Sequence, residues 1–221
     1  MKIRFYEKLL IGLIILLLNG LTNPGLSQET EEMENIDKKV EKFLNAHRAN
    51  WYDMNVPESD GKVLYNLIIK NNYQKALEIG TSTGHSAIWI AWALSKTGGK
   101  LITIEIDRGR HNTALANFKE AGLSEYIDAR LADAHSLVEE LQGPFDFIFS
   151  DADKGWYTKY FIALAPKLRV GGCFTAHNVS WSYDRNIKTF LNYVKALPNF
   201  ETTINRASSE GISISYKRAE K

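Results

Sequence analysis

Cysteine is almost missing from this 221-residue chain, and the single Cys173 excludes an internal disulfide. Glycine (15) and proline (5) are too sparse for a collagenous or low-complexity polymer. An excess of either charge is also lacking: 27 Lys+Arg stand against 26 Asp+Glu, a formal net charge of +1. Nucleic-acid binders ordinarily carry a basic stripe, so no nucleic-acid partner is expected. Internal repeats and a second domain boundary are likewise missing. What remains, 44% hydrophobic and 11% aromatic residues, describes one globular domain of common size.

The one long apolar run lies at the N-terminus, from Leu9 to Leu18 and on through Leu21, behind Lys2, Arg4 and Lys8. Gly25 and Ser27 then place small residues before a cut at Gln28, which completes the three-part pattern of a secretory signal peptide. The run is short for a span of ~20 residues. Asn19 and Gly20 interrupt it only weakly, however, so an uncleaved membrane anchor stands as the alternative. The basic flank before the run and Glu29, Glu31, Glu32 and Glu34 after it orient the domain outside the cytoplasm. The expected plan is a signal peptide or anchor over 1–27, a polar lead-in over 28–35 and one domain over 36–221. The protein is expected to be exported (periplasmic or secreted) or anchored, with membrane contact only if the segment stays uncleaved.

From Ile36, apolar residues recur at Val40, Phe43 and Leu44 with helical spacing. A loop is expected from Met54 to Asp60, followed by a helix over Gly61–Asn71. The pattern then alternates. Strands are expected at Lys75–Ile79, Lys100–Ile106, Ile127–Leu131, Phe145–Ser150 and Gly172–Ala176. Helices fall between them around Ser86–Lys96, Arg110–Ala121, His135–Leu141 and Thr158–Leu168. Such alternation indicates βαβ units and a mainly parallel sheet. After a helix over Asp184–Ala196, the runs Phe200–Asn205 and Ile212–Tyr216 are joined too closely for a parallel crossover and must pair antiparallel. The expected fold is α/β: a doubly wound, Rossmann-like, seven-stranded sheet, mainly parallel, with a C-terminal antiparallel hairpin and a reversed edge strand.

Four segments meet the carboxyl ends of the strands, where open α/β sheets bind ligands. Leu77-Glu78-Ile79-Gly80-Thr81-Ser82-Thr83-Gly84-His85-Ser86 runs from the first strand into a helix. Its Glu-x-Gly-x-x-x-Gly spacing is not that of a nicotinamide fingerprint, and Ser82 stands where a pyrophosphate binder carries glycine. By themselves the glycines also fit a plain β-to-α turn. Glu105 ends the second strand, where a carboxylate accepts both hydroxyls of a ribose, while Asp107 suits a helix cap better. Together these two segments indicate a ribonucleoside ligand without phosphate recognition, a description that S-adenosylmethionine fits. Asp151 ends the fourth strand, and His177 and Asn178 end the fifth. A carboxylate, an imidazole and an amide carbonyl there suit a divalent metal, although strand-end Asp and Asn also serve as turn formers.

These motifs resemble the cation-dependent class I O-methyltransferases of the catechol and caffeoyl-coenzyme A type, from Asp53 to the C-terminus. The resemblance implies that Met54-Asn55-Val56 contacts the cofactor's methionine end and that Glu78, Gly80, Ser82, Gly84 and Ser86 form its loop. It implies further that Glu105 takes the ribose, and that Asp133 and Ala134 line the adenine pocket. Asp151-Ala152-Asp153-Lys154 matches the motif in which the first Asp binds metal and cofactor and the Lys is the catalytic base. The family's metal site continues with Asp-Asn, and this chain has His177-Asn178. Imidazole suits Zn, Fe, Ni or Cu and is a poor ligand for Mg. The expected metal set is therefore Asp151, His177 and Asn178, with the identity of the ion open. Trp156, Tyr157, Trp181 and Tyr183 are expected to wall the acceptor pocket, and His85 and His135 to pack or support.

The expected activity is methyl transfer from S-adenosylmethionine to a hydroxyl of a small, catechol-like acceptor, with Lys154 and Asp151 as catalytic residues. A homodimer is left open. The His177 departure and the export signal also leave a non-catalytic S-adenosylmethionine-binding protein as the second reading.

Overall fold

The computed structural model describes residues 24–180 and 183–220, with side chains from Glu31 onward except Glu32. Residues 1–23, which hold the basic flank and the apolar run, and Trp181 lie outside the described residues. The chain divides into two compact units, 1–35 and Ile36–Lys221. Residues 28–35, expected as a lead-in, belong to a helix, α1 (Pro24–Ala46). No helix among the described residues is long and apolar enough to cross a membrane.

Within the larger unit, α2 (Glu58–Asn71) precedes β1 (Lys75–Ile79), α3 (His85–Thr97), β2 (Lys100–Glu105), α4 (Arg108–Ala121) and β3 (Ile127–Leu131). There follow α5 (Ala134–Glu140), β4 (Phe145–Ser150), α6 (Tyr157–Leu164), β5 (Leu168–Ala176), α7 (Arg185–Ala196), β6 (Phe200–Asn205) and β7 (Ile212–Lys217). α2 begins earlier than the sequence pattern suggests. Pro57, with φ −60°, sits at its cap and presets the backbone for entry, so Asp60 lies in the first helical turn and not in a loop.

The seven strands are ordered β3-β2-β1-β4-β5-β7-β6, and the order reverses between β1 and β4. β1 to β5 pair in parallel, and β7 pairs antiparallel with both β5 and β6. One expectation needs correction. The reversed strand is β7, and it is not at the edge: it inserts between β5 and β6, which leaves β6 outermost. Burial explains the choice. Ile212–Ser215 of β7 is buried on both faces, whereas β6 alternates and carries Glu201, Thr203 and Asn205 on its wetter side. A strand that buries both faces belongs inside the sheet.

Each sheet face supports its own apolar cluster. Ala76, Phe147, Phe149 and Cys173 face α2 and α3 through Leu64, Ile68, Ile88 and Leu94. Leu77, Ile79, Ile148 and Phe174 face α5, α6 and α7 through Val138, Phe161, Phe190 and Val194. Strand alternation assigns the two sets. Phe145 packs in the second cluster while Phe147 and Phe149 belong to the first, and the β4–β5 register is irregular between Phe145 and Phe147.

Candidate active site

The crevice opens where the strand order reverses, beyond the carboxyl ends of β1, β2, β4 and β5. It is a cavity of about 630 Å³, within the range of small-molecule sites. Gly80 turns the chain at φ +96°, and a Cβ there would lie 3.0 Å from the backbone of Asp151 and Ala152. Only glycine accepts that dihedral in such close quarters. Ser82 is left-handed too, at φ +50°, uncommon for a side-chain-bearing residue. This conformation aims its N–H at Glu105 Oε2, 2.7 Å away. Glu105 Oε1 accepts from the N–H groups of Ile106 (3.0 Å) and Asp107 (2.9 Å). The carboxylate that ends β2 is thus fixed by three backbone donors, and its Oε2 keeps a lone pair.

Met54, Asn55, Gly80, Ser82, Glu105, Asp133, Ala134 and Asp151 of the expected cofactor set line this cavity. Asp133 also caps α5 by accepting from the His135 N–H at 2.9 Å. Asn55 donates to Thr83 Oγ1 at 2.8 Å, and Arg110 grips Asp53 with two hydrogen bonds of 2.9 and 3.0 Å, which ties the 53–55 segment to the crevice rim.

Four residues of the expected cofactor set, Val56, Glu78, Gly84 and Ser86, do not line this cavity but stand behind it. Val56 is buried and accepts from the His85 ring through its carbonyl at 2.8 Å. Gly84, at φ +98°, lets the Phe118 ring approach where a Cβ would be 2.5 Å away. Glu78 is wholly buried and accepts from Thr103 Oγ1 at 2.5 Å, with Ser86 as a second donor. Burial raises the Glu78 carboxyl to about 8, against the pull of those hydrogen bonds. Ser86 therefore serves Glu78. Burial likewise lowers His85 to about 4, so this ring is neutral and packs on Trp51 at 4.3 Å.

On the acceptor side, Lys154 Nζ donates to Asp151 Oδ1 at 2.8 Å. His177 is 3% exposed, with Nδ1 3.2 Å from Asp151 Oδ2 and Nε2 2.7 Å from Asp60 Oδ2. Burial by itself would lower its pKa, but the hydrogen bonds to Asp151 and Asp60 outweigh burial and lift it to about 9. Asn178 Nδ2 donates to Glu210 Oε2 at 2.8 Å. Asp151, His177 and Asn178 do converge, as expected, but not as metal donors. Both imidazole nitrogens face carboxylates, and both Asp151 oxygens are engaged, by Lys154 and His177. Among the described residues no group of three His, Cys, Asp or Glu side chains is suited to a metal ion. The donor set does not fit the expected cation.

Of the expected aromatic wall, Trp156 stacks on His135 at 3.7 Å, while Tyr157 is buried in the core and donates its hydroxyl to the His177 carbonyl at 3.1 Å. Tyr183 is 79% exposed, and Tyr160 lines the cavity instead. Three functional residues escape a reading of the sequence: Asp60, Arg110 and Glu210. Asp60 sits in a segment read as a loop, and its partner is 117 residues away.

A doubly wound sheet with a reversed seventh strand, carrying a strand-end carboxylate beside a glycine loop at its switch point, is the Rossmann-like fold of the methyltransferases. The chain belongs to the O-methyltransferase family, whose pattern residues 27–188 match. It is 41% identical over 130 residues to a catechol O-methyltransferase of Niastella koreensis, covering 57% of this chain and 58% of that one. It is 30% identical over 168 residues to caffeoyl-CoA O-methyltransferase 1 of Eucalyptus globulus, covering 71% and 67%. Over the aligned regions, then, the chain spans between about half and two thirds of these relatives' lengths. An O-methyltransferase from Bacillus cereus, solved in complex with SAH, superposes with a TM-score of 0.69 at 27% identity, over 82% of this chain and 91% of that one.

Proposed function

We propose that this protein is an S-adenosylmethionine-dependent O-methyltransferase that methylates a hydroxyl of a small aromatic, catechol-like acceptor. The observation that carries the reading is the fixed Glu105 carboxylate beside the Gly80 turn, in one cavity with Lys154 and Asp151. The SAH complex of the Bacillus cereus relative and the catechol and caffeoyl-CoA enzymes among the relatives support it. The residues fit the cofactor: Glu105, fixed at the cavity wall, would hold the ribose, and no run of loop N–H groups is reserved for phosphate, since Ser82 spends its own on Glu105. When bound, S-adenosylmethionine would supply an electrophilic sulfonium methyl for in-line transfer to the acceptor oxygen, the carbon–sulfur bonding pair leaving with sulfur.

For the chain itself the work is alignment and proton handling. Lys154 Nζ, in its neutral amine form, takes the proton of the acceptor hydroxyl, and Asp151, 2.8 Å away, holds the ammonium that results. Tyr160 and Ala134 supply apolar wall. Export or anchoring, with the domain outside the cytoplasm, belongs to the same proposal. It rests on the basic, apolar and small pattern of residues 1–27 and is tested by N-terminal sequencing of protein from its native host. A start near Gln28 supports cleavage, and a start at Met1 leaves only the anchor.

The test of function is calorimetry with S-adenosylmethionine and its demethylated product, combined with turnover on a catechol panel. Lys154→Met is expected to lower kcat by ~10²–10⁴ with cofactor affinity unchanged. Cofactor binding without turnover on any hydroxylated acceptor would leave a binding protein.

A further inference from the structure

The sequence leads one to expect a divalent cation between Asp151, His177 and Asn178, and the side chains are arranged for something else. His177 presents Nε2 to Asp60 at 2.7 Å and Nδ1 to Asp151 at 3.2 Å. An ionised carboxylate only accepts hydrogen bonds, so each nitrogen facing one carries a proton, and a ring with two N–H groups is a cation. A metal would need a ring lone pair, which this arrangement has already committed. Asp151 is engaged on both sides as well, by Lys154 on Oδ1 and His177 on Oδ2. Asn178 is turned by a left-handed backbone, φ +55°, and donates its Nδ2 to Glu210 Oε2.

Charge points the same way. Asp60 is 1% exposed, and its Oδ1 has no hydrogen-bond partner. Ser208 Oγ donates to Oδ2 at 2.6 Å but brings no charge, so His177 is the cation set against this carboxylate. A buried carboxylate without a counter-charge is strongly destabilising. His177 faces both acids, Asp60 and Asp151, and Lys154 lies against the second. A divalent ion added among them would meet the fixed positive charge of His177.

We propose that the site works without a divalent cation: His177, clamped as an imidazolium between Asp60 and Asp151, supplies the fixed positive charge beside the acceptor pocket and holds Asp151 in place for Lys154. His177 is a positioning residue in this scheme, acting through Asp151. Asp60, one helix away from the strand ends, anchors the far side of the ring. The proposal deepens the methyl-transfer reading and rests on it for the identity of the reaction, but its central statement about cations is tested separately.

The experiment uses the full chain stripped with EDTA. Mg²⁺, Mn²⁺ and Zn²⁺ are titrated calorimetrically, with and without S-adenosylhomocysteine, and the protein is assayed for bound metal. No stoichiometric cation is expected in either state, and catechol turnover is expected to survive stripping. Nitrogen-15 spectra of histidine-labelled protein at neutral pH should show His177 with both ring nitrogens protonated, a signal missing from His177→Gln. That variant is expected to lose kcat while keeping S-adenosylhomocysteine affinity, and His177→Asp to acquire one bound Mg²⁺. One equivalent of cation bound by the wild type, turnover restored only by added cation, or a His177 ring with one unprotonated nitrogen would overturn the proposal. Failure to bind S-adenosylhomocysteine would instead remove the methyl-transfer reading, and the cation titration and the spectra would still decide this one.

Discussion

The N–H of Ser82 and the carboxylate of Glu105 meet at 2.7 Å across the gap between the β1–α3 loop and the end of β2. This bond gives the left-handed Ser82 its purpose and holds the acid at the cavity wall. The loop and the acid are therefore one unit.

Glu105→Ala should accordingly weaken S-adenosylmethionine binding by ~1.5–3 kcal/mol for each charge-assisted bond lost, roughly tenfold or more in Kd. Calorimetry at neutral pH gives the value. An unchanged Kd would remove the cofactor from this cavity.

Glu78 makes a pH prediction. Its carboxyl titrates near 4.5 when unfolded and about 8 when folded. The folded state then holds the proton that the unfolded chain has released, so stability falls as pH rises from 4.5 to 8. His85, lowered from 6.5 to about 4, has the opposite slope over its own range, losing stability as pH falls. A difference between wild type and Glu78→Gln cancels the His85 part. Urea unfolding at several pH values should show Glu78→Gln gaining on the wild type as pH rises through that window, and a constant difference would refute the buried acid.

At the junction of α2 and α3, a Cβ on Gly61 would fall 2.2 Å from Cδ1 of Trp89. Trp89 cannot retreat cheaply, because it is buried and its indole donates to His85 Nε2 at 3.1 Å. Overpacking of this kind costs ~1–3 kcal/mol. Gly61→Ala is expected to melt roughly 2–12 °C lower than wild type, with S-adenosylhomocysteine affinity per folded molecule retained. Equal melting temperatures would show that the helices separate freely.

The rim contact is smaller. Arg110 and Asp53 are both partly exposed, so their ion pair contributes only ~0.2–1 kcal/mol. Arg110→Ala should weaken cofactor binding by less than about tenfold, and the loss should shrink in high salt, where such pairs are screened. A larger, salt-independent loss in calorimetry would mean that Arg110 contacts the ligand itself.

By itself the sequence determined the alternating α/β plan, the glycine turn, the strand-end acids Glu105 and Asp151, Lys154 three residues on, and the family. All are local: strand period, turn chemistry and one short motif each lie within a dozen residues. Tertiary structure alone decided three matters. It inserted β7 between β5 and β6, because sheet position depends on which strand finds cover on both faces. It split Glu78 from Glu105, two acids expected at one cofactor site, sinking the first in the core and setting the second at the cavity. And it joined His177 to Asp60, 117 residues away, turning an expected metal ligand into a paired cation. Local spacing carries no information on which distant side chain fills the other half of a hydrogen bond, and for His177 that partner determines the charge of the ring.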